Sequence, residues 1–420
     1  MSSSKKTIIV LLILIGAFLN GYGQKADTAF LKHQLDSIIL DGIDSMAYPG
    51  AQVLIKIGGI TVYHQTYGHH TYEGSYPVKK DDIYDFASIT KVTTGLPILM
   101  KLYGEGRFDL DTPLKDVFGE FKKSNMSKLT FRDMLAHRAG LTPYLVFWRD
   151  MLDEDGRRKK NTFSFGYSID YPIKITDNLF LHKDYKKKMY KSIKKSEVDD
   201  AGQYRYSGLL FLLLPDLLEP LIGDDFESFL YENFYVPMGL TTLTYNPRKR
   251  FPPERIIPTE YDDFFRYKQI RGTVHDEAAA MLNGLSCNAG LFGAAEDLAN
   301  LFQMYLNGGT LYGRKYIDEK AVLEFTRYQF PQEDNHRGLG FDKPLLEYDE
   351  TKSYVARDAS KASFGHSGFT GTFVWADPEY DMVFVFLSNR VYPTRENRKL
   401  YSMGIRAKIH QAVYQAIDKN

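Results

Sequence analysis

Cysteine is almost absent from this sequence, which has one such residue, Cys287, among 420. A single thiol excludes an intramolecular disulfide framework and a structural zinc site built from cysteines. No His-Glu-x-x-His motif occurs, and the ten histidines are scattered apart from the pair His69-His70. Adjacent side chains on an extended segment point to opposite sides, so this pair makes a poor chelate. The sequence therefore predicts a protein with no metal site and no other cofactor.

Net charge is also absent, because 53 Lys and Arg balance 53 Asp and Glu. A nucleic-acid-binding protein needs clustered excess cations that displace counterions from phosphates, so this class is disfavoured. The hydrophobic fraction of 44% is ordinary and excludes global disorder. At ~100–200 residues per domain, the length corresponds to two to four units, or to one large domain with an insertion.

A hydrophobic run of membrane-spanning length is missing too. The longest candidate, residues 8–19, is well short of the ~20 residues that cross a bilayer. Lys5 and Lys6 precede it, and the small residues Gly21 and Gly23 follow it two apart, which is typical of a signal peptide over residues 1–23. The alternative is a membrane anchor. We expect cleavage, and a soluble mature chain that is exported to the periplasm or secreted, with no stable membrane anchor.

Hydrophobic periodicity divides the mature chain into β-rich ends and a helical middle. We predict helices over residues 26–45 and 88–103, with a kink or break of the second at Pro97, and a hairpin at 51–68 turning at Gly58-Gly59. Further predicted elements are helices at 130–136, 185–193, 209–214, 295–306, 319–326 and 402–417, and strands at 371–376 and 382–387. This order predicts an α/β (α+β) fold with one sheet domain from residues 24–108 and 286–420. Residues 109–285 form a large, mainly helical insertion.

A site for nucleophilic catalysis is indicated by Ser88-Ile89-Thr90-Lys91 at the start of a predicted helix. This spacing places a hydroxyl and an ammonium one turn apart on one helix face. A desolvated lysine with a lowered pKa can take the proton of a serine nucleophile. The spacing alone is weak evidence, since it recurs from Ser192 to Lys195 and from Ser2 to Lys5. The Lys-rich run 183–195 is a candidate anionic docking site, but its apolar spacing favours the solvated face of a helix.

The surroundings of Ser88 resemble the serine β-lactamase and penicillin-binding-protein superfamily. The likeness is greatest to its branch of class C β-lactamases, D-alanyl-D-alanine carboxypeptidases and esterases. The motifs that carry it are Ser88-Ile89-Thr90-Lys91, Tyr206-Ser207-Gly208 and His366-Ser367-Gly368, supported by the segments 48–51, 135–141, 288–292, 371–379 and 388–391. The resemblance implies a β-lactamase/transpeptidase-like fold, with an antiparallel sheet from both chain ends flanked by helices.

The same resemblance implies the roles of individual residues. Ser88 would be the acylated nucleophile, Lys91 its proton partner, and Tyr206 a second acid/base group whose phenol is shifted by Lys91. The N–H groups of Ser88 and Phe369 would form the oxyanion hole. On the strand, His366 would contact a substrate carboxylate or the Tyr206 oxygen, beside Ser367 and Gly368. Tyr204 is the alternative phenol, but the match favours Tyr206.

Two positions depart from the family pattern. Gly208 stands where Asn or Asp is usual, so a side chain that holds Lys91 and the substrate amide is expected to be missing. His366 replaces the more usual lysine and, when neutral, attracts a carboxylate less strongly. We therefore expect small esters or short D-amino-acid peptides to be preferred over cephalosporins, and Gly208→Asn to raise amide turnover relative to ester turnover.

The leading interpretation is an exported serine hydrolase that cleaves an amide or ester bond in a β-lactam, D-amino-acid peptide or small ester. The alternatives are a weak or inactive relative that binds cell-wall peptides and a structural or adhesion protein. The partner is then a small-molecule or peptide substrate. We expect His137 and His275 to satisfy local backbone or helix-end contacts, and Cys287 to be inert packing.

Overall fold

The computed structural model describes residues 26–74 and 76–417. The predicted signal peptide at residues 1–23 lies outside the described residues. Among the helices that are described, none combines the length and the apolar character needed to cross a membrane.

The N-terminal part contains the predicted helix and hairpin. Helix α1 (Thr28–Asp44) begins at Asp27, whose carboxylate accepts the N–H groups of Ala29 and Phe30 as an N-cap. Strands β1 (Gly50–Ile57) and β2 (Ile60–Gly68) then pair antiparallel. Gly58 and Gly59 between them both have positive φ, 58° and 74°, which a two-residue hairpin turn requires. The predicted hairpin and its turn are therefore confirmed.

The main sheet joins both ends of the chain. Three strands near the C-terminus, β13 (Phe364–Ser367), β14 (Phe373–Asp377) and β15 (Met382–Ser388), complete a five-stranded antiparallel sheet in the order β13-β14-β15-β1-β2. The strands predicted over 371–376 and 382–387 are confirmed within two residues. This arrangement is the sheet expected from the β-rich ends.

The central strand β15 is covered on both faces, and this explains its unbroken apolar run. Val383 and Val385 lie in one hydrophobic core, while Phe384 and Phe386 lie in the other. On the second face, α1 packs with the C-terminal helix α14 (Ile405–Ile417). On the first face, α11 (Ala295–Leu306) packs on β1, β14 and β15. A strand buried on both sides has no polar face and loses the alternation typical of half-exposed strands.

The remaining elements are short or lie mostly between the two ends. The other helices are α2 (Thr90–Thr93), α3 (Gly95–Gly104), α4 (Leu114–Val117), α5 (Phe131–Leu135), α6 (Asp184–Lys195), α7 (Leu209–Ile222), α8 (Phe226–Leu230), α9 (Val236–Met238), α10 (Glu277–Ala280), α12 (Glu319–Thr326) and α13 (Lys399–Ser402). The other strands are β3 (Tyr84–Asp85), β4 (Phe163–Ser164), β5 (Ile173–Thr176), β6 (Leu179–Leu181), β7 (Thr244–Tyr245), β8 (Tyr261–Asp262), β9 (Lys268–Gln269), β10 (Leu291–Gly293), β11 (Thr310–Leu311) and β12 (Arg314–Lys315). The helices predicted at 295–306 and 319–326 have the predicted bounds. The division into a sheet domain and an insertion at 109–285 stays a prediction.

The kink or break predicted at Pro97 is in the wrong place. The helix is interrupted at Thr94, whose φ of −123° and ψ of −82° are not helical, and Pro97 is the third residue of α3. The first turn of a helix tolerates proline because its N–H has no partner there. On the Lys-rich helix α6, Met189 and Ile193 are buried, so the predicted buried side is confirmed.

Candidate active site

Ser88 lies on a tight turn between β3 and α2. The turn is a single 3-10 helix, Ala87–Ile89, and Ala87 has a φ of 46°, a left-handed conformation that costs energy for a residue with a side chain. The buried carboxylate of Asp85 accepts the N–H of Ala87 at 2.8 Å and the N–H of His275 at 2.7 Å. Asp85 thus holds the turn in place, and Ser88 is half-buried while its neighbours are buried.

The side chains of the first two motifs converge on one oxygen. Lys91 Nζ lies 2.9 Å from Ser88 Oγ, and the Tyr206 hydroxyl lies 3.2 Å from the same Oγ. Tyr206 precedes α7 and is 118 residues away along the chain. The structure therefore brings Ser88, Lys91 and Tyr206 together, with both proton-carrying groups within reach of the serine.

Burial shifts the two proton-carrying groups in opposite directions. The pKa of Lys91 is lowered to about 7, chiefly by burial; the charge of Asp276 opposes this shift and the charge of Arg337 adds to it. Burial raises the pKa of Tyr206, which the hydrogen bond with Ser88 and the charge of Arg337 partly offset. The cation that opposes the shift of Tyr206 is thus Arg337, not Lys91 as expected. Near neutral pH, Lys91 is the partner of Ser88 that gives up its proton more readily.

The third motif, His366-Ser367-Gly368, lies at the site because the loop that follows β13 is hydrogen-bonded to the residues just before Ser88. Thr370 Oγ1 donates to the carbonyl of Asp85 at 2.7 Å, and Thr372 Oγ1 donates to the carbonyl of Phe86 at 3.1 Å. A side chain at Gly368 would overlap both Thr372 Oγ1 and the Phe86 carbonyl. Glycine at this position therefore permits the close approach of strand and turn.

Two buried arginines fix the backbone after β13. Arg406 from α14 donates to the carbonyl of Gly368 at 2.8 Å, and Arg390 donates to the carbonyl of Phe369 at 2.8 Å. The Gly368 carbonyl and the Phe369 N–H belong to one planar trans peptide and point in opposite directions. Arg406, together with the N–H of Gly371 that donates to the same carbonyl at 3.1 Å, therefore orients the Phe369 N–H. Phe369 itself is 39% exposed, beside the half-buried Ser367.

His366 is neutral in this setting. Burial, followed by the charges of Arg337 and Lys91, lowers its pKa well below the usual value. Its Nδ1 lies 2.8 Å from the carbonyl of Ser367, so Nδ1 carries the proton. The ring centroid is 6.4 Å from that of Tyr206, and within the described residues no hydrogen bond joins the two side chains.

Although position 208 is a glycine, the site contains a side-chain amide, that of Asn288. Asn288 Oδ1 lies 2.9 Å from Lys91 Nζ, and a Cβ at position 208 would lie 2.5 Å from the same Oδ1. The expectation that Lys91 lacks a side-chain amide is therefore wrong. The reasoning for Gly208→Asn fails as well, because the space for that side chain is occupied.

Sequence reasoning did not anticipate Asn288 and Arg337 as contributors to this site, and it assigned His137 a local contact. The His137 ring lies 4.4 Å from the ring of Tyr206, and its Nδ1 accepts the N–H of Ser207 at 3.2 Å. The expected local backbone contact is thus confirmed, and the ring also packs on the tyrosine. No spacing rule connects these residues with Ser88, because the contacts arise only when distant segments fold together.

Within the described residues, the side chains of His275, Tyr204 and Cys287 make no hydrogen bond with Ser88, Lys91 or Tyr206, although the His275 ring lies 5.6 Å from the Phe369 ring. His275 pairs with Glu260 at 3.2 Å, and the Tyr204 ring lies 4.9 Å from the ring of His336. Cys287 is fully buried, which raises the pKa of its thiol to about 12 and fits inert packing. Within residues 26–74 and 76–417, no group of three or more His, Cys, Asp or Glu side chains is arranged to hold a metal ion.

Comparison with known proteins gives a consistent result. Residues 35–405 match the family model described as Beta-lactamase. A protein of Salmonella enteritidis PT4 named "Putative D-alanyl-D-alanine carboxypeptidase" is 30% identical over 397 residues, covering 88% of this chain and 84% of that protein.

Solved structures show the same fold at low identity. A penicillin-binding protein homologue from Caulobacter crescentus aligns with a TM-score of 0.62 at 18% identity, over 92% of this chain and 97% of that one. EstCE1, a hydrolase with promiscuous acyltransferase activity, aligns with a TM-score of 0.63 at 16% identity, over 91% and 99%. The predicted β-lactamase/transpeptidase-like fold is therefore confirmed.

Proposed function

We propose that this chain, which belongs to the Beta-lactamase family, is an exported serine hydrolase that cleaves an amide or ester bond through an acyl-enzyme on Ser88. The resemblance to that family, stated from three motifs, is confirmed, and membership indicates serine hydrolase activity. The observation that carries the proposal is the position of Ser88 Oγ, 2.9 Å from Lys91 Nζ and 3.2 Å from the Tyr206 hydroxyl.

The different pKa shifts suggest separate roles for the two partners of Ser88. Lys91, with a pKa of about 7, takes the Ser88 proton as Oγ attacks the carbonyl carbon and a tetrahedral oxyanion forms. Tyr206 keeps its proton at neutral pH because burial raises its pKa, so it donates that proton to the departing amine or alcohol. Loss of the leaving group produces an ester on Ser88. Water then attacks this ester and gives a proton to the Tyr206 phenolate. Lys91 returns its proton to Ser88 Oγ as the carboxylic acid leaves, which restores all three groups.

The oxyanion is the part of the reaction that needs preorganised donors. In the proposal these are the N–H groups of Ser88 and Phe369. Two observations support them: the Ser88 turn is held by Asp85, and the Phe369 peptide is oriented by Arg406. A fixed donor needs no reorganisation when charge develops on the carbonyl oxygen. The hydrogen bond from the buried Arg406 therefore favours stabilisation of the oxyanion.

Amide-containing D-amino-acid peptides and small esters are the proposed substrates. The named Salmonella relative supports a peptide ending in D-alanine. A neutral His366 gives a substrate carboxylate no full positive charge, which disfavours cephalosporins relative to uncharged esters. The alternative of a non-catalytic peptide binder rested on Gly208, and Asn288 in the adjoining space removes that reason.

A matched pair of substrates tests the reaction class. We expect an acyl-D-alanyl-D-alanine peptide and its D-lactate ester analogue to yield the same acyl adduct, located on Ser88 by intact-mass and peptide analysis. The ester should react faster because an ester carbonyl is less stabilised by resonance than an amide carbonyl, and because an alkoxide leaves more readily than an amide anion. p-Nitrophenyl esters should be turned over faster than cephalosporins. Faster hydrolysis of cephalosporins would contradict the substrate assignment, and no adduct with any of these compounds would contradict the mechanism.

Export is tested by the N-terminus of the mature protein. Protein recovered from the periplasm or medium should begin near Gln24, because the run at 8–19 is too short to remain as a membrane span. A charge placed in the run, such as Leu12→Lys, should retain the protein inside the cell. Chains that still begin at Met1 in a membrane fraction would count against processing.

A further inference from the structure

The absence of a side chain at Gly208 is explained by the nearby Asn288 side chain and not by the backbone conformation of Gly208. Its φ of −90° and ψ of −6° are open to any residue, so no left-handed conformation requires glycine here. A Cβ at this position would lie 2.5 Å from Asn288 Oδ1 and 3.3 Å from Asn288 Cγ. The two positions therefore compete for one space, and Asn288 fills it.

Asn288 contacts Lys91 through two separate oxygens. Lys91 Nζ donates to the backbone carbonyl of Asn288 at 3.0 Å and to its Oδ1 at 2.9 Å. The third neighbour of Nζ is Ser88 Oγ at 2.9 Å. A neutral amine has two N–H bonds and one lone pair. When both N–H bonds are directed to Asn288, the lone pair faces Ser88, the geometry required for accepting the serine proton.

The segment that carries Asn288 is itself held in place. The Asn288 N–H donates to Ser286 Oγ at 3.0 Å, and the Cys287 N–H donates to the Phe211 carbonyl of α7 at 3.1 Å. Cys287 is fully buried next to this helix. The amide of Asn288 is therefore presented to Lys91 from a fixed backbone and not from a mobile loop.

We propose that Asn288 is the positioning residue for Lys91 and supplies, from the segment after α10, the side-chain amide that position 208 lacks. This inference rests on the proposed function, since it assigns Asn288 to the proton transfer at Ser88. It also explains why glycine at 208 is compatible with an active site: the amide is relocated and not lost.

A reciprocal exchange of the two side chains is the first test. Asn288→Ala should lower kcat/KM for a p-nitrophenyl ester roughly 10- to 100-fold, the effect of one hydrogen bond to Lys91 as it becomes charged on accepting the Ser88 proton. Gly208→Asn should also lower it, because two amides cannot share the space. The double variant Asn288→Ala/Gly208→Asn should recover much of the loss, because the amide at 208 can then reach Lys91.

The control is Asn300→Ala, which removes another lysine–asparagine contact, that of Lys56 with Asn300 on α11. It should leave kcat/KM unchanged. Full activity of Gly208→Asn, or a double variant no better than the worse single variant, would overturn the inference. If Asn288 only fills space, Asn288→Ala alone should keep the wild-type kcat/KM, and the double variant should be no better than Asn288→Ala.

The second test is the titration of Lys91. Asn288→Asp places a carboxylate against Nζ and should raise the pKa of Lys91 above about 7, moving the acidic limb of the kcat/KM profile to higher pH. The other groups that act on this titration, Asp276, Arg337 and Cys287, are unchanged in the variant. An unchanged limb would overturn the inference.

NMR titration of labelled lysine in the resting protein separates the inference from the proposed function. A raised Lys91 titration in Asn288→Asp supports the contact whether or not the protein turns over substrate. If this shift is present and wild-type protein never carries an acyl group on Ser88, the proposed function is wrong. If Ser88 is acylated and the shift is absent, the assignment of Asn288 is wrong.

Discussion

Ser88→Ala is expected to abolish covalent labelling by penicillin or a fluorophosphonate, and to lower ester hydrolysis by roughly 10³-fold or more. The hydroxyl of Ser88 is the only group in the proposed mechanism that bonds to the acyl carbon. Lys91 and Tyr206 carry protons and cannot replace it. The substitution removes one oxygen from a half-buried side chain, so the fold should be retained. Intact-mass analysis and circular dichroism measure the two outcomes.

Ser192→Ala is the matched control, because Ser192 and Lys195 repeat the same spacing on the Lys-rich helix α6. Ser192 is exposed, and there is no anchored turn around it comparable to that of Ser88. Its variant should label like wild type. Undiminished labelling of Ser88→Ala would refute Ser88 as the nucleophile.

Lys91→Met is expected to lower kcat/KM about 10²- to 10⁴-fold, the range for loss of a positioned general base. Methionine keeps an unbranched apolar stem and removes the amine. In wild type, the acidic limb of kcat/KM should lie near pH 7, because burial lowers the pKa of Lys91 to about 7. Below this pH the amine is protonated and cannot accept the Ser88 proton, so activity should fall as the pH falls.

The control is Lys195→Met, the equivalent change in the exposed copy of the spacing, which should leave both rate and pH profile unchanged. A profile of wild-type kcat/KM that is flat from about pH 5 to about pH 9 would exclude Lys91 as the base. Retention of at least a tenth of wild-type activity by Lys91→Met would do the same. Thermal unfolding of each variant verifies that it remains folded.

The sequence by itself determined those features that depend on neighbours along the chain. The helices at 295–306 and 319–326 and the hairpin around Gly58-Gly59 follow from periodicity and turn chemistry, which act over a few residues. The Ser88–Lys91 pair follows from the same local geometry, since a single helical turn brings positions three apart together. The motif order and spacing were sufficient to identify the family over most of the chain.

The tertiary structure decided features that depend on segments distant in sequence. The helix breaks at Thr94 and not at Pro97. Next to this break, a Cβ at Gly95 would lie 2.5 Å from Leu214 on α7, and no local sequence pattern encodes this close approach. Asn288 is 197 residues from Lys91, and no spacing rule predicts that it occupies the space beside Gly208. The lowered pKa of Lys91 likewise comes from burial, which is a property of the packed chain. Local chemistry therefore identified the reacting groups, while packing of distant segments determined their protonation and orientation.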